Sequence, residues 1–255
     1  IDFFIIGEAE EAILEVIDIY KDFKGRGGSR QEFLYEAAKI PGVYVPSLYE
    51  VSYNDDGTIS SISPKRDHLP HIIQKRVIAD LDSAYYPRNF IVPYMDIVHD
   101  RAVLEIFRGC TRGCRFCQAG MIYRPVREKS VEHLEKLAKD IIASTGYGEI
   151  TLSSLSTSDY SNLKQLTEVL NEDFRDSKVG LSLPSLRIDA FSLELAQQVQ
   201  EIKKSGLTFA PEAGTQRLRD VINKGVTEED LLSSVRDAFT LGWNKVKLYF
   251  MIGLP

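Results

Sequence analysis

From residue 101 onward, short apolar runs alternate with stretches of helical periodicity, and this alternation restricts the chain to parallel β/α architecture. The strand-like runs are AVLEIF (102–107), EITLSSL (149–155), VGLSLPSL (179–186), GLTFAP (206–211) and KVKLYFMIG (245–253). Between the first two, SVEHLEKLAKDIIASTG offers Ser130 as a cap, an apolar stripe of Val131, Leu134, Leu137 and Ile141, and Gly146 as a stop. Thr227-Glu228-Glu229-Asp230 has the pattern of a capping box for a helix ending near Gly242. Five such units in about 150 residues predict an α/β fold, a partial TIM-like barrel of the (β/α)6 type rather than a closed eightfold one.

Upstream of residue 101 the pattern is less regular. Residues 3–6 (FFII) end at Gly7, and EAEEAILEVIDIYKDF places Ile13, Leu14, Ile17 and Tyr20 on one helical face. GRGGSR at 25–30 is a break, and QEFLYEAAKI makes a short helix that stops before Pro41-Gly42. Asn54-Asp55-Asp56-Gly57, set between VYVPSLYEVSY and TISSIS, signals a β-hairpin. The expected organisation is the tail of a Rossmann-like domain over 1–25, a helix and hairpin linker over 26–100, and the barrel core over 101–255. Because the chain opens on Ile1 and stops at Pro255 directly after an apolar run, both ends are expected to continue, with a sixth strand after Pro255.

Composition narrows the function. The net charge of -6 and pI near 5.4 argue against a nucleic-acid binder working through bulk positive charge. No run approaches the roughly 20 apolar residues of a membrane span, and the N-terminus lacks the pattern of a signal peptide, so a cytoplasmic protein is expected. The three cysteines all fall within eight residues, an odd set that fits no secreted disulfide framework and implies a reducing compartment. Around them stand Arg108, Arg112, Arg115, Arg124, Arg127 and Lys129 against one acid, Glu128. These read either as a solvated basic loop or as a surface attracting an anionic ligand or an acidic electron donor.

Cys110, Cys114 and Cys117 form a Cys-x-x-x-Cys-x-x-Cys loop directly after the first strand, which in a barrel is the catalytic end. Thiolates are the usual ligands of four-iron four-sulfur clusters, which normally take four, and this chain has no fourth. One iron is thereby left open to chelate the amino and carboxylate groups of S-adenosylmethionine, whose carbon–sulfur bond one electron can break to give a 5'-deoxyadenosyl radical. Gly109 and Gly113 let the loop turn tightly around a bulky cluster. A zinc site would need a further ligand, and His68, His71, His99 and His133 are not spaced to supply one. A redox dithiol at Cys114 and Cys117 would leave Cys110 unexplained.

The cysteine spacing, with Phe116 just before the third, resembles the radical S-adenosylmethionine superfamily. That resemblance implies a [4Fe-4S] cluster, S-adenosylmethionine, oxygen sensitivity and a one-electron donor such as a flavodoxin or ferredoxin. It also implies cofactor contacts at the strand ends: Ser153, Ser154 and Ser156 for the methionine amine, and Ser185 and Arg187 for the ribose and carboxylate. A serine-rich turn and an exposed loop arginine are the plain alternatives. LTFAPEAGTQRLRDVINKG is similar to the segment that methylthiotransferase-type members use around the cofactor. Glu212 stands at their polar position, suited to a ribose diol or, more plainly, to capping the next helix, while Arg217, Arg219 and Lys224 are candidates for the cofactor carboxylate. YFMIGLP resembles the adenine-contacting strand, with backbone groups near Ile252 and Gly253, although core packing accounts for its apolar residues equally well.

Taken whole, the chain resembles an uncharacterised bacterial family that joins a cobalamin-binding-type domain to a radical S-adenosylmethionine domain. IDFFIIGEAEEAI looks like the end of the former, and RGCTRGCRFCQAGMIYRPVREKS is similar to that family's cluster loop. No Asp-x-His-x-x-Gly motif occurs here, so any cobalamin would be bound through upstream sequence. Three function classes remain: a radical enzyme abstracting hydrogen from an unknown substrate, with cobalamin-linked methyl transfer as a variant; a methylthiotransferase acting on tRNA or protein; and a non-catalytic iron–sulfur or zinc protein.

Overall fold

The computed structural model describes residues 1–95, 97–184, 186–190 and 206–255, and these form two compact units, Ile1–Ala79 and Asp80–Pro255. Among the described residues no helix is long and apolar enough to cross a membrane.

In the first unit, β1 (Phe4–Ile5) pairs antiparallel with β2 (Val43–Tyr44), and two helices, α1 (Ala12–Gly25) and α2 (Arg30–Ala37), lie between them in sequence. Ser29 and Glu32 form a reciprocal capping box that starts α2 directly after the glycine break. The Asn54–Gly57 turn closes the hairpin of β3 (Tyr49–Tyr53) and β4 (Ile59–Pro64), with the Asn54 amide donating to the Thr58 carbonyl at 2.8 Å. The core gathers Val16, Leu34, Ala37, Val43, Val45 and Leu69. One sequence expectation needs correction: α1 buries Ala12, Val16 and Phe23, whereas Ile13, Leu14, Ile17 and Tyr20 are 37–60% exposed. Apolar residues surround this helix, so periodicity alone allowed two faces, and the one carrying Val16 is the one that meets the core.

The second unit carries the β/α alternation. β5 (Ala102–Glu105), β8 (Glu149–Ser153) and β9 (Gly180–Ser182) form a parallel sheet in the order β5-β8-β9, and β10 (Leu207–Glu212) pairs parallel with β11 (Val246–Phe250). Ile150, Thr151 and Leu152 are buried in succession, as expected for a central parallel strand covered on both faces. Helix α4 (Val131–Thr145) lays its expected stripe of Val131, Leu134, Leu137 and Ile141 into that core, joined by Leu166 and Leu170 of α5 (Leu163–Phe174). Ser130 caps α4 through the His133 amide, and Gly146 ends it at φ 72°. A second core, around Phe209, Val226, Ala238 and Trp243, seats α7 (Glu228–Thr240) beside β10.

Four strands, β5, β8, β9 and β11, are shorter than their apolar runs, and the first and third of these bear on the site. The run AVLEIF leaves the parallel sheet at Ile106, and Phe107–Arg108 (β6) turns to pair antiparallel with Arg127–Glu128 (β7). Glu105 sets this bend by accepting from Arg108 at 2.9 and 3.0 Å, with the Lys129 ammonium 3.5 Å away. Among the described residues of VGLSLPSL, Gly180–Ser182 alone form regular strand; Ser185 lies outside the described residues. β10 and β11 shift register between Phe209 and Glu212, where Pro211 has no N–H to give to the ladder.

The Thr227 and Asp230 capping box starts α7 as the sequence pattern anticipated. Thr227→Ala is expected to cost about 1 kcal/mol, read as a lower denaturation midpoint and faster amide exchange over residues 228–240.

Candidate functional site

The β6/β7 pairing pinches the base of a loop, residues 109–126, that leaves the first barrel strand and returns to α4. All three cysteines lie on this loop as free, half-buried thiols. The Cys117 amide donates to the Cys114 carbonyl at 3.0 Å, and the Cys117 sulfur accepts the Gly120 amide at 3.3 Å, so the loop curls back into the short helix α3 (Ala119–Ile122). Gly109 has φ 92°, and a Cβ there would lie 2.6 Å from the Pro125 carbonyl oxygen. Gly109→Ala is therefore expected to destabilise the chain by more than about 1 kcal/mol, measured as a lower melting temperature with amide exchange rising first in residues 109–126.

Arg112, between the first two cysteines, reaches the ends of the next two strands. Its guanidinium grips Asp159 through both Nε, at 2.9 Å, and Nη2, and its Nη1 lies 3.5 Å from Asp189. Asp189 also accepts two bonds from Arg187, at 2.8 and 3.0 Å, and Arg187 Nη2 donates to the Lys224 carbonyl at 3.2 Å. The Asp159 hydrogen bond pushes the Arg112 guanidinium further above its already high range. Burial would raise the Asp159 carboxyl, but the Arg112 hydrogen bond and charge, with Arg187 beyond, hold it below the usual carboxylate range.

Glu212 ends β10 with φ 64°, a left-handed conformation rare outside glycine, and its carboxylate accepts from Lys224 Nζ at 3.1 Å, both side chains about 15% exposed or less. Thr215, not Glu212, caps the following helix α6 (Gln216–Val221), so the plain capping alternative for Glu212 does not hold. Strain at a strand's catalytic end is the kind of local cost that functional sites retain.

The other expected positions fall as follows. Phe116 is 40% exposed on the cysteine loop. Ser153 closes β8, its carbonyl accepting the Ile106 amide at 3.0 Å, and Ser154 Oγ lies 3.1 Å from Thr157 Oγ1. Ile252 and Gly253 are exposed just past β11, whose end is drawn beside Glu212 by the bond from the Met251 amide to the Glu212 carbonyl at 2.9 Å. Arg219 is buried and donates to the carbonyls of Val226 and Ala213 and to the Gln216 side chain, which makes it structural; Arg217 is exposed. Of the six basic residues near the cysteines, Arg108, Arg112 and Lys129 are ion-paired within the chain, Arg124 and Arg127 donate to loop carbonyls, and Arg115 donates to carbonyls at the end of α6. The basic segment is thus mostly scaffolding for the loop. Asp159, Asp189 and Asn223 went unread in the sequence, although Arg187-x-Asp189 spacing and an Asn-Lys-Gly turn were there to see.

Among the described residues, no three or more His, Cys, Asp or Glu side chains converge on a single metal position. A four-iron cluster asks for something different, because each thiolate binds a separate iron and the sulfurs ring a space instead of meeting at a point. Three free thiols on one glycine-jointed loop, with amide hydrogen bonding to the Cys117 sulfur, fit that donor chemistry.

A family model described as the radical SAM superfamily matches residues 104–255, and one described as radical SAM proteins, N-terminal, matches residues 1–46. An uncharacterised protein of Methanocaldococcus jannaschii is 35% identical over 191 residues, covering 75% of this chain and 40% of that protein. Among solved structures, the cobalamin-dependent S-adenosylmethionine radical enzyme OxsB, with aqua-cobalamin and S-adenosylmethionine bound, superposes with a TM-score of 0.62 at 15% identity, covering 98% of this chain and 33% of that one. The radical S-adenosylmethionine methyltransferase TsrM from Kitasatospora setae, with cobalamin and a [4Fe-4S] cluster bound, gives a TM-score of 0.57 at 16% identity, covering 100% of this chain and 46% of that one. The chain spans less than half the length of each of these three proteins.

Proposed function

Because the chain belongs to the radical S-adenosylmethionine superfamily, a family of enzymes, we propose that it is the cluster-bearing core of one that cleaves S-adenosylmethionine reductively to act on a substrate by hydrogen abstraction. The observation that carries this reading is the pinched loop at the end of the first barrel strand, with three free thiols and no fourth cysteine in the sequence. Cys110, Cys114 and Cys117 would hold three irons of a [4Fe-4S] cluster and leave the fourth for the methionine moiety. A cluster held there would supply the electron that breaks the carbon–sulfur bond.

The chain's own residues then position the cofactor. Ser153 and Ser154, at the end of β8, offer oxygens to the methionine ammonium, and Glu212, held in place by Lys224, offers a carboxylate to the ribose hydroxyls. Arg187 is locked by Asp189 and steadies the same rim for the cofactor carboxylate. Exposed backbone at Ile252 and Gly253 suits the edge of a flat adenine ring. The likeness to OxsB and TsrM supports cobalamin as a further cofactor, bound by sequence upstream of these residues, and methyl transfer as the outcome. An acidic flavodoxin or a ferredoxin would supply the electron.

The test is anaerobic reconstitution of the full-length protein with iron and sulfide. About four irons per chain and release of 5'-deoxyadenosine on addition of a strong reductant are expected. Stable zinc in place of iron, or a loaded cluster that leaves S-adenosylmethionine intact, would overturn the reading.

A further inference from the structure

The stretch from Asp220 to Lys224, the last two residues of α6 and the turn that follows it, lies about a hundred residues in sequence from the cysteines, yet it grips their loop directly. Asn223 Nδ2 donates to the Gly113 carbonyl at 2.9 Å and lies 3.5 Å from the Arg112 carbonyl. The Arg115 amide donates to the Ile222 carbonyl at 2.9 Å, and the Arg115 guanidinium bonds the Asp220 and Val221 carbonyls at the C-terminal end of α6. The bonded stretch, Arg112 to Arg115, contains Cys114.

Two details argue that this contact is selective. Asn223 has φ 54°, a conformation that asparagine tolerates better than most residues and that turns its amide towards the loop. Gly113 also has φ above zero, at 72°, and a Cβ on it would sit 3.4 Å from Asn223 Nδ2, so the two unusual backbone positions fit against each other. The next residue, Lys224, holds Glu212 by its side chain and Arg187 by its carbonyl. One five-residue stretch thus touches the cysteine loop on one side and the end of the fourth barrel strand on the other.

We propose that the Asp220–Lys224 stretch is the element that sets the cysteine loop relative to Glu212, with Asn223 as the positioning residue acting on the Gly113–Cys114 peptide. Asn223 would act chiefly through that peptide: by fixing the plane of the Gly113 carbonyl it fixes the adjoining Cys114 amide and with it the direction of the Cys114 side chain. Hydrogen bonding and amide orientation around the sulfurs are among the influences that set a cluster's potential. The inference rests on the cysteines holding the cluster, as proposed above.

The test compares wild-type, Asn223→Asp and Asn223→Gly full-length proteins. The aspartate is isosteric and keeps the tolerance for a left-handed backbone, but faces two carbonyls with an acceptor; the glycine keeps the backbone freedom and removes the amide. In protein without cluster, both variants should show amide exchange at least about tenfold faster over residues 110–118, with exchange over 149–153 and the melting temperature unchanged, since Asn223 is exposed. In reconstituted protein, both should shift the midpoint potential and the electron paramagnetic resonance spectrum of the reduced cluster, the aspartate more than the glycine. Wild-type exchange and potential in both variants would overturn the inference while leaving the cluster assignment standing. Exchange that rises equally throughout Asp80–Pro255 would also overturn it, by making Asn223 a general structural residue. A wild-type protein that holds no cluster would overturn the assignment and, with it, this inference.

Discussion

Replacing Cys114 by alanine is expected to reduce bound iron from about four per chain to near none and to abolish release of 5'-deoxyadenosine. The loss should exceed the 10- to 100-fold typical of changes in outer-shell partners of a metal site, because a ligand itself is removed (about 100-fold or more). The substitution isolates the sulfur. Cys114 is half-buried, and its structural bond is made by its carbonyl to the Cys117 amide, which alanine retains. Circular dichroism and melting temperature should therefore stay close to wild type while iron content collapses. Retention of a spectroscopically normal cluster in Cys114→Ala would refute the role assigned to this residue.

Glu105→Gln is expected to destabilise the second unit by about 3 kcal/mol at neutral pH, the low end for breaking a buried pair because Glu105 is 29% exposed. Lys129 is the reason. Its side chain is 1% exposed, and its ammonium donates to the Glu105 carbonyl at 3.0 Å, stands 3.5 Å from the Glu105 carboxylate and lies 5.0 Å from the Tyr86 ring centre. Burial pulls the Lys129 pKa below its ordinary value, the Arg108 charge adds to this, and Glu105 opposes both. Removing the carboxylate would depress it further. Between that lowered folded value and the unfolded value near 10.5, the unfolded chain binds more protons, so the variant's stability should rise with pH across this window. Urea denaturation at pH 7 and pH 10 checks this: the gap to wild type should narrow at the higher pH, and a gap independent of pH would show that Lys129 is not its source.

Much of this architecture could be read from one sequence because the informative signals were local. Ser130, Gly146 and the Thr227 capping box act within a single helical turn, and they fell where the pattern put them. The cysteine loop was equally legible, since its spacing and its place after an apolar strand are both short-range facts. What escaped was whatever depends on partners distant in sequence. The burying face of α1 was ambiguous until Val16 could be seen against Leu34 and Val43. The bend at Ile106 depends on Glu105 meeting Lys129, and the grip on Gly113 comes from Asn223, 110 positions away. The basic residues around the cysteines looked like a charged surface because their partners lie elsewhere: Arg112 meets Asp159 and Asp189 from other parts of the chain, Arg115 bonds carbonyls of α6, and Arg108 and Lys129 fold back onto Glu105.

The left-handed backbone at Glu212 is held in place by the partner its side chain keeps. A side chain other than glycine at φ 64° carries a cost of order 1 kcal/mol that glycine would avoid. Glu212→Gly would remove that cost but leave Lys224, whose side chain is 13% exposed, without its carboxylate, a loss of about 3 kcal/mol or more that outweighs the relief. The strained backbone persists because its side chain is tied to Lys224, so glycine, the usual remedy for a left-handed residue, is the wrong route to a hardier form of this barrel.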